Sequence, residues 1–473
     1  MRPGPRRRGT GALVPRPQGV DTLLHADTNC VAVGGHTASV TPHRVEGDAV
    51  REAQNTAVRA GRCPAGRARP LLLRGERLGD GPVTLEYWAW NSAQKLLVEA
   101  WNATHPDIQV RHTDAGGGDD SATKLVTTTR AGNAPDVALV ECPTLPSMIV
   151  AGVATEISEH VAEVEAEFHE GIWSQASFDG QTYGIPQDAG PQALTFHRAR
   201  FEELGVEVPT TWEDFAAAAQ QVREADPETH LATFAPAEFG GFAGFAQQAG
   251  AVWWEGSGAT WRVDIDGAET AAVADYWQDL IAAEPILTPE WNAKLNRGQV
   301  LSFPAGLWGP GVIASVAGDM AGDWALAPLP QWTPGDDAVA FQGGSAAIVT
   351  TSSRHPAEAA RFAAWIATAE EACRIQIQEG NYPASIVGQE LSLDSAPPTF
   401  MSGQEDYWEV AAQIVARTLP KSTWGPNVNV ASTAFEDAMS AAVNAGTPLA
   451  DALSVIEQAV VTDMTSVGYT AER

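Results

Sequence analysis

The stretch YGIPQDAGPQALTFHRARFEELGVEVPTTWEDF, Tyr183 to Phe215, sets the architecture of the chain. Tyr183-Gly184-Ile185-Pro186 is a short β-like piece that runs into a polar loop at Gln187-Asp188-Ala189-Gly190-Pro191. Ala193-Leu194-Thr195-Phe196 is a second β-prone run, and a charged helical pattern follows from Arg198 to Leu204. Pro209 breaks that pattern. Thr211 then stands where its hydroxyl can cap a new helix beginning Trp212-Glu213-Asp214-Phe215. Strands and helices in this order belong to an α/β architecture.

Working outward, Val83 to Trp90 alternates like a strand, and a helix from Gln94 to about Thr104 puts Leu96, Leu97, Ala100 and Trp101 on one face. His105-Pro106-Asp107 stops it, and Ile108-Gln109-Val110 starts the next strand. Trp90 and Asn91 end the first strand, and ligands of open parallel sheets collect at such ends. Gly116 to Asp120 lacks both the Gly-Lys-Ser/Thr ending of a phosphate loop and the GxGxxG order, so it reads as a turn. A helix from Ser121 to Ala131 precedes a buried strand, Ala134 to Val140, tipped by Glu141. Downstream, Ala268 to Ile281 is an amphipathic helix with Val273, Tyr276, Trp277 and Leu280 inward.

The order YGIP, polar loop, AL.F.R..FE.LG, P.TW.DF is similar to the hinge and following helices of extracellular solute-binding proteins of the family-1, carbohydrate type. The HPDIQV strand, the APDV strand, Gly306-Leu307-Trp308-Gly309, Gly343-Gly344 and Gly380-Asn381-Tyr382-Pro383-Ala384 extend that resemblance from Val83 to Tyr469. The family is maltose-binding-protein-like and delivers solutes to ABC importers. The resemblance implies a two-lobed α/β fold, each lobe a mixed sheet flanked by helices, with three hinge crossings. Residues 81–192 and 344–384 would form one lobe, and 193–343 and 385–473 the other. It also implies an extracellular, membrane-anchored monomer, without cofactor or metal, that closes on a sugar and docks on the permease subunits of its transporter.

Candidate contacts are carried over residue by residue. Trp308 would be a stacking platform, Asp188 a polar contact just past the hinge, and Glu141 an acceptor for paired hydroxyls. Gly343 and Gly344 would offer backbone amides where only glycine allows close approach. Trp90, Asn91, Trp253, Tyr382 and Trp424 complete the expected set, with one indole of the Trp253-Trp254 pair facing the cleft.

Composition bears on the ligand. The chain carries 16 tryptophans, the first at Trp88. Indoles suit sugars, whose C–H faces stack on aromatics while their hydroxyls bond nearby polar groups. Charge is segregated: residues 1–80 hold thirteen arginines, no lysine and seven acids, and the remainder carries a net of −36. So acidic a body repels nucleic acid and anionic membranes. Residues 1–80 also lack Phe, Tyr and Trp and show no sustained period, so they are expected to be disordered. They contain no apolar run of export-signal length and no lipoprotein cleavage site before Cys30. The expectation is therefore that a misplaced start or an upstream frameshift hides the true leader.

None of the ten histidines stands in HExxH, and no GxSxG elbow occurs. The four cysteines show no metal spacing; Cys142 and Cys373 either pair or are buried free thiols. The reading is a binder and not an enzyme. The alternatives are a binder of glycerol phosphate, polyamine or peptide, or a glycoside hydrolase working with two facing carboxyls.

Overall fold

The computed structural model describes residues 82–283, 291–419 and 424–472. The extension expected over 1–80 and residues 420–423 of the late loop lie outside the described residues.

Strand β1 (Val83–Ala89) buries Leu85, Tyr87 and Ala89 and turns the intervening residues outward, as its alternation dictates. The helix Ser92–Thr104 lays Leu97, Val98 and Trp101 onto it, and the Trp101 indole N–H donates to the Ile108 carbonyl at 2.8 Å. That bond ties the helix to β2 (Ile108–Asp114). With β3 (Val137–Glu141), β4 (Gly184–Asp188) and β10 (Ser345–Val349) these strands make one five-stranded sheet, ordered β2-β1-β3-β10-β4. The first three are parallel, and β10 runs antiparallel between β3 and β4.

The chain leaves β4 and enters β5 (Gln192–His197), whose six residues are all buried. It is the centre of a second sheet, flanked antiparallel by β8 (Ser302–Gly306) and β9 (Trp324–Pro328). A third sheet pairs β6 (Trp254–Ser257), β7 (Thr260–Val263) and β11 (Thr470–Glu472). The helix Trp212–Ala225 opens with Thr211 as expected. The Thr211 hydroxyl accepts from the Asp214 amide while the Asp214 carboxylate accepts from the Thr211 amide, a reciprocal capping box. The second sheet and the helices around it enclose an aromatic core of Trp212, Phe215, Phe245 and Trp277.

Between the two main sheets, residues 188–192, 340–345 and 382–384 lie side by side. Ala189 donates to the Tyr382 carbonyl at 3.0 Å, and Gln342 to the Gly190 carbonyl at 2.8 Å. A Cβ on Gly190 would stand 2.4 Å from the Gly344 nitrogen, so this crossing admits only glycine. The helix Ile386–Leu393, expected with the second half, instead packs on Glu370–Gln378 beside the first sheet. Gly388 lets Pro383 and Cys373 pack against its bare Cα. The chain reaches the second sheet only afterwards, where the Gln404 side chain brackets Leu326 with two hydrogen bonds. Cys142 and Cys373 are both buried and free. No helix among the described residues is long and apolar enough to cross a membrane.

Candidate functional site

The topology of the first sheet converges several chain segments on one edge. Strands β1, β3 and β4 run in the same direction, so Trp90-Asn91, Glu141 and Asp188 all lie at C-terminal ends. The start of β10 closes the row, with Ser345 paired to both Glu141 and Asp188. Facing this edge, the second half supplies Trp308 just past β8 and one side of the helix Gly309–Ala317. Between them lies a cavity of about 730 Å³. That is within the usual range of about 300–1,000 Å³ for small-molecule sites.

Its lining brings together Trp90, Asn91, Glu141, Asp188, Trp308, Gly343 and Gly344. Trp90 is half-buried, and a Cβ on Gly117 would lie 3.3 Å from its ring. Trp308 is also half-buried; its N–H donates to the Gln342 carbonyl at 2.8 Å and Phe303 meets its ring edge-on. With its N–H occupied, Trp308 has only its ring to offer a ligand. Asn91 holds φ 68° and ψ 162°, a conformation rare outside glycine, while its Oδ1 caps the following helix through the Ala93 amide at 3.1 Å. Gly343 and Gly344 both take positive φ, 93° and 85°.

Asp188 is held in place by Ser345. Its Oδ1 accepts from both the amide (2.8 Å) and the hydroxyl of Ser345. Burial raises its pKa above the usual carboxylate range, and the Ser345 donors pull it back. The charged side chains among the described lining are Glu141, Asp188 and Glu238, with no Lys, Arg or His. Phosphate and uronate groups would find no cationic side chain among the described lining to pair with.

Three expected rings fall outside this cavity. Trp253 is 1% exposed, and its N–H is spent on the Thr270 hydroxyl at 2.9 Å inside the second core. Its neighbour Trp254 is wholly buried too, so neither indole of the pair faces the cleft. Tyr382 is 4% exposed and lies against Trp408, while its neighbour Asn381 lines the cavity. Trp424, 5% exposed, packs on Phe239 and Trp254 and borders a different, smaller pocket. The sequence reading did not single out Glu238, Gln342, Asn381, Thr144 or Asn429, all of which line the cavity. Gln342 stands next to Gly343-Gly344 and Asn381 next to Tyr382, and that adjacency was the signal available.

Comparison with known proteins bears on the family and the fold. The family model for bacterial extracellular solute-binding proteins matches residues 91–372. The chain is 26% identical over 312 residues to an arabinooligosaccharide-binding protein of Halalkalibacterium halodurans, covering 62% of this chain and 69% of that one. Among solved structures it is similar to a galacto-N-biose-/lacto-N-biose I-binding protein of an ABC transporter from Bifidobacterium longum, in complex with lacto-N-biose. That likeness has a TM-score of 0.72 and 26% identity, over 83% of this chain and all of that one. An ABC transporter associated binding protein from B. animalis subsp. lactis, in complex with β-1,6-galactobiose, shares the two-lobed fold. Its TM-score is 0.75 at 24% identity, again over 83% of this chain and all of that one.

Proposed function

Because the chain belongs to the bacterial extracellular solute-binding protein family, we propose that it captures a neutral oligosaccharide between its lobes and hands it to an ABC importer. The observation that carries this reading is the cavity itself. One indole from each half, Trp90 and Trp308, borders a space whose remaining polar groups are carboxylates, amides and hydroxyls. Sugar rings present apolar C–H faces to such indoles and hydroxyl edges to such acceptors. The relatives named for arabinooligosaccharide and lacto-N-biose support the same solute class.

Hinge closure follows from the division of contacts. A ligand touching Glu141 and Asp188 on one side and Trp308 on the other makes its full set of bonds only when the halves are together, so it shifts the equilibrium toward the closed form. In this reading the lobes are 81–192 with 344–384 and 193–343 with 385–473, the helix 386–393 lying against the first. The monomer works outside the cell, held at the membrane beside its transporter. The closed form docks on the permease subunits, and the protein releases its sugar unchanged.

The three lining acids favour one competing solute, a polyamine. Calorimetric titration with arabino-oligosaccharides, lactose, β-1,6-galactobiose and spermidine separates the two. Saturable binding of a neutral saccharide, with no new reducing ends after prolonged incubation, is the expected result. Binding of spermidine alone would replace the sugar reading, and catalytic release of reducing ends would make the protein a hydrolase.

A further inference from the structure

The second residue past β1 has a backbone that its own side chain strains. Asn91, at φ 68° and ψ 162°, lies in a region populated almost only by glycine. Among the described residues the one other non-glycine with positive φ is Asp179, in the turn of a tight hairpin. Strain of this kind persists where the surroundings enforce it, and it concentrates at binding sites. Asn91 is exposed and lines the main cavity.

The oxygen of its side chain is occupied by the protein. Oδ1 accepts from the Ala93 amide at 3.1 Å and from Gln94 Nε2 at 3.3 Å. A backbone N–H can only donate, so the atom it meets is the oxygen, and the sense of the Asn91 amide is fixed. Turning the amide over would set its NH₂ against two other donors. The N–H groups of Nδ2 have no partner among the described residues. Gln94 is 1% exposed, and its sense is fixed in turn. Its Oε1 accepts from the Tyr87 hydroxyl at 2.7 Å and from Gln187 Nε2 at 3.2 Å, which leaves Nε2 for Asn91. Gln187 precedes Asp188 on β4, so Gln94 ties the residue beyond β1 to the strand that carries the buried acid. Tyr87, Gln94 and Gln187 are all outside the described lining of the cavity.

We infer that Gln94 is a positioning residue of the binding site: it holds the Asn91 amide with its oxygen turned into the protein, so that Nδ2 meets the solute as a donor of fixed sense. This deepens the proposed function and rests on it. The carboxylates of the cavity, Glu141, Asp188 and Glu238, accept and do not donate while ionised. Asn91 adds the opposite demand, that the solute bring an acceptor as well as donors. Sugar hydroxyls do both, and ring oxygens accept. The ammonium groups of a polyamine carry N–H donors alone and offer Nδ2 nothing to bond. The same three acids that would draw in a polyamine are thus paired with a donor that favours a sugar.

The test titrates lactose, β-1,6-galactobiose and arabino-oligosaccharides into the full chain and its variants, each well below its melting temperature. Asn91→Asp keeps an oxygen for the Ala93 and Gln94 donors and caps a helix as well as asparagine does, so it should fold as the unaltered protein does. Having lost the donor, it should bind sugar at least tenfold more weakly. Gln94→Met nearly keeps the buried volume and removes the hydrogen bonds. It should weaken sugar binding at least fivefold, but less than twofold once Asn91 is replaced by glycine, because Gln94 acts through Asn91. Equal weakening in both backgrounds, or none in either, would make Gln94 a structural residue only and overturn the inference. Asn91→Asp affinity within twofold of the unaltered protein would overturn it too, even if Gln94→Met did not fold. Sugar binding that Trp308→Ala still weakens would leave the proposed function standing in those cases. If none of these saccharides binds the unaltered protein, both readings fall together.

Discussion

Trp277 and Trp308 are the same side chain in opposite surroundings. Trp277 is 1% exposed and is met by Trp212, Phe215, Phe234, Phe245 and Tyr276 within 6.4 Å, ring to ring. Trp308 is half-buried at the edge of a 730 Å³ cavity, its N–H tied to a backbone carbonyl. The first arrangement uses the ring's whole surface to hold the second core together. The second fixes the ring by one atom and keeps part of it for something else. Abundant tryptophan therefore says little by itself; what an indole does depends on whether a cavity takes the place of some of its neighbours.

Mutations should separate the two roles. Trp277→Ala is expected to cost about 3–5 kcal/mol of folding stability, as large-to-small core changes do, with sugar affinity per folded molecule nearly unchanged. A urea transition shifted by less than about 1 kcal/mol would show that the ring is dispensable to the core. Trp308→Ala should do the reverse: about 1–3 kcal/mol lost from sugar binding, with the urea midpoint barely moved. Equal affinity in the folded mutant would take Trp308 out of the site.

Between these extremes, Asn91 both lines the cavity and caps a helix. Asn91→Ala removes the cap on the Ser92–Thr104 helix and leaves a Cβ residue at φ 68°. A loss of about 1–2 kcal/mol is expected in thermal unfolding. Asn91→Gly should recover most of it, because glycine accepts that backbone, and failure of that rescue would argue against strain at this position.

The smallest effect is expected at Asp188. Burial puts its folded pKa above its unfolded value of about 3.9. The group's contribution to stability is thus fully present below that unfolded value and is lost as pH rises through the folded one. An amide in its place would carry no charge and would keep an oxygen for both Ser345 donors, which share Oδ1 of Asp188. The melting temperature of Asp188→Asn should therefore gain on the unaltered protein between acid and neutral pH, while sugar affinity falls. A gap that narrows with rising pH would contradict the sign.

Much of the fold was legible because local signals agreed with one another. Thr211 caps the helix where the sequence placed that cap, and the β-like pieces of the opening stretch became β4 and β5. The row Trp90-Asn91, Glu141 and Asp188 was readable because strand ends in parallel sheets are where ligands gather. Burial was not readable. Tyr382 stands beside a residue of the right character, but a one-residue step decides which neighbour meets the cavity, and Asn381 does so in its place, while Trp253 and Trp254 both turn into the second core. The helix Ile386–Leu393 was misplaced for a similar reason. Its packing rests on one glycine, Gly388, against Pro383 and Cys373, a contact that no period in the sequence announces.

The most direct test of the cleft is a crystal structure of the protein with the tightest-binding neutral oligosaccharide found by titration. The account predicts a sugar ring lying on Trp308 or Trp90, with its hydroxyls bonded to Glu141 or Asp188. A saccharide bound elsewhere, with that cavity filled by solvent alone, would contradict it.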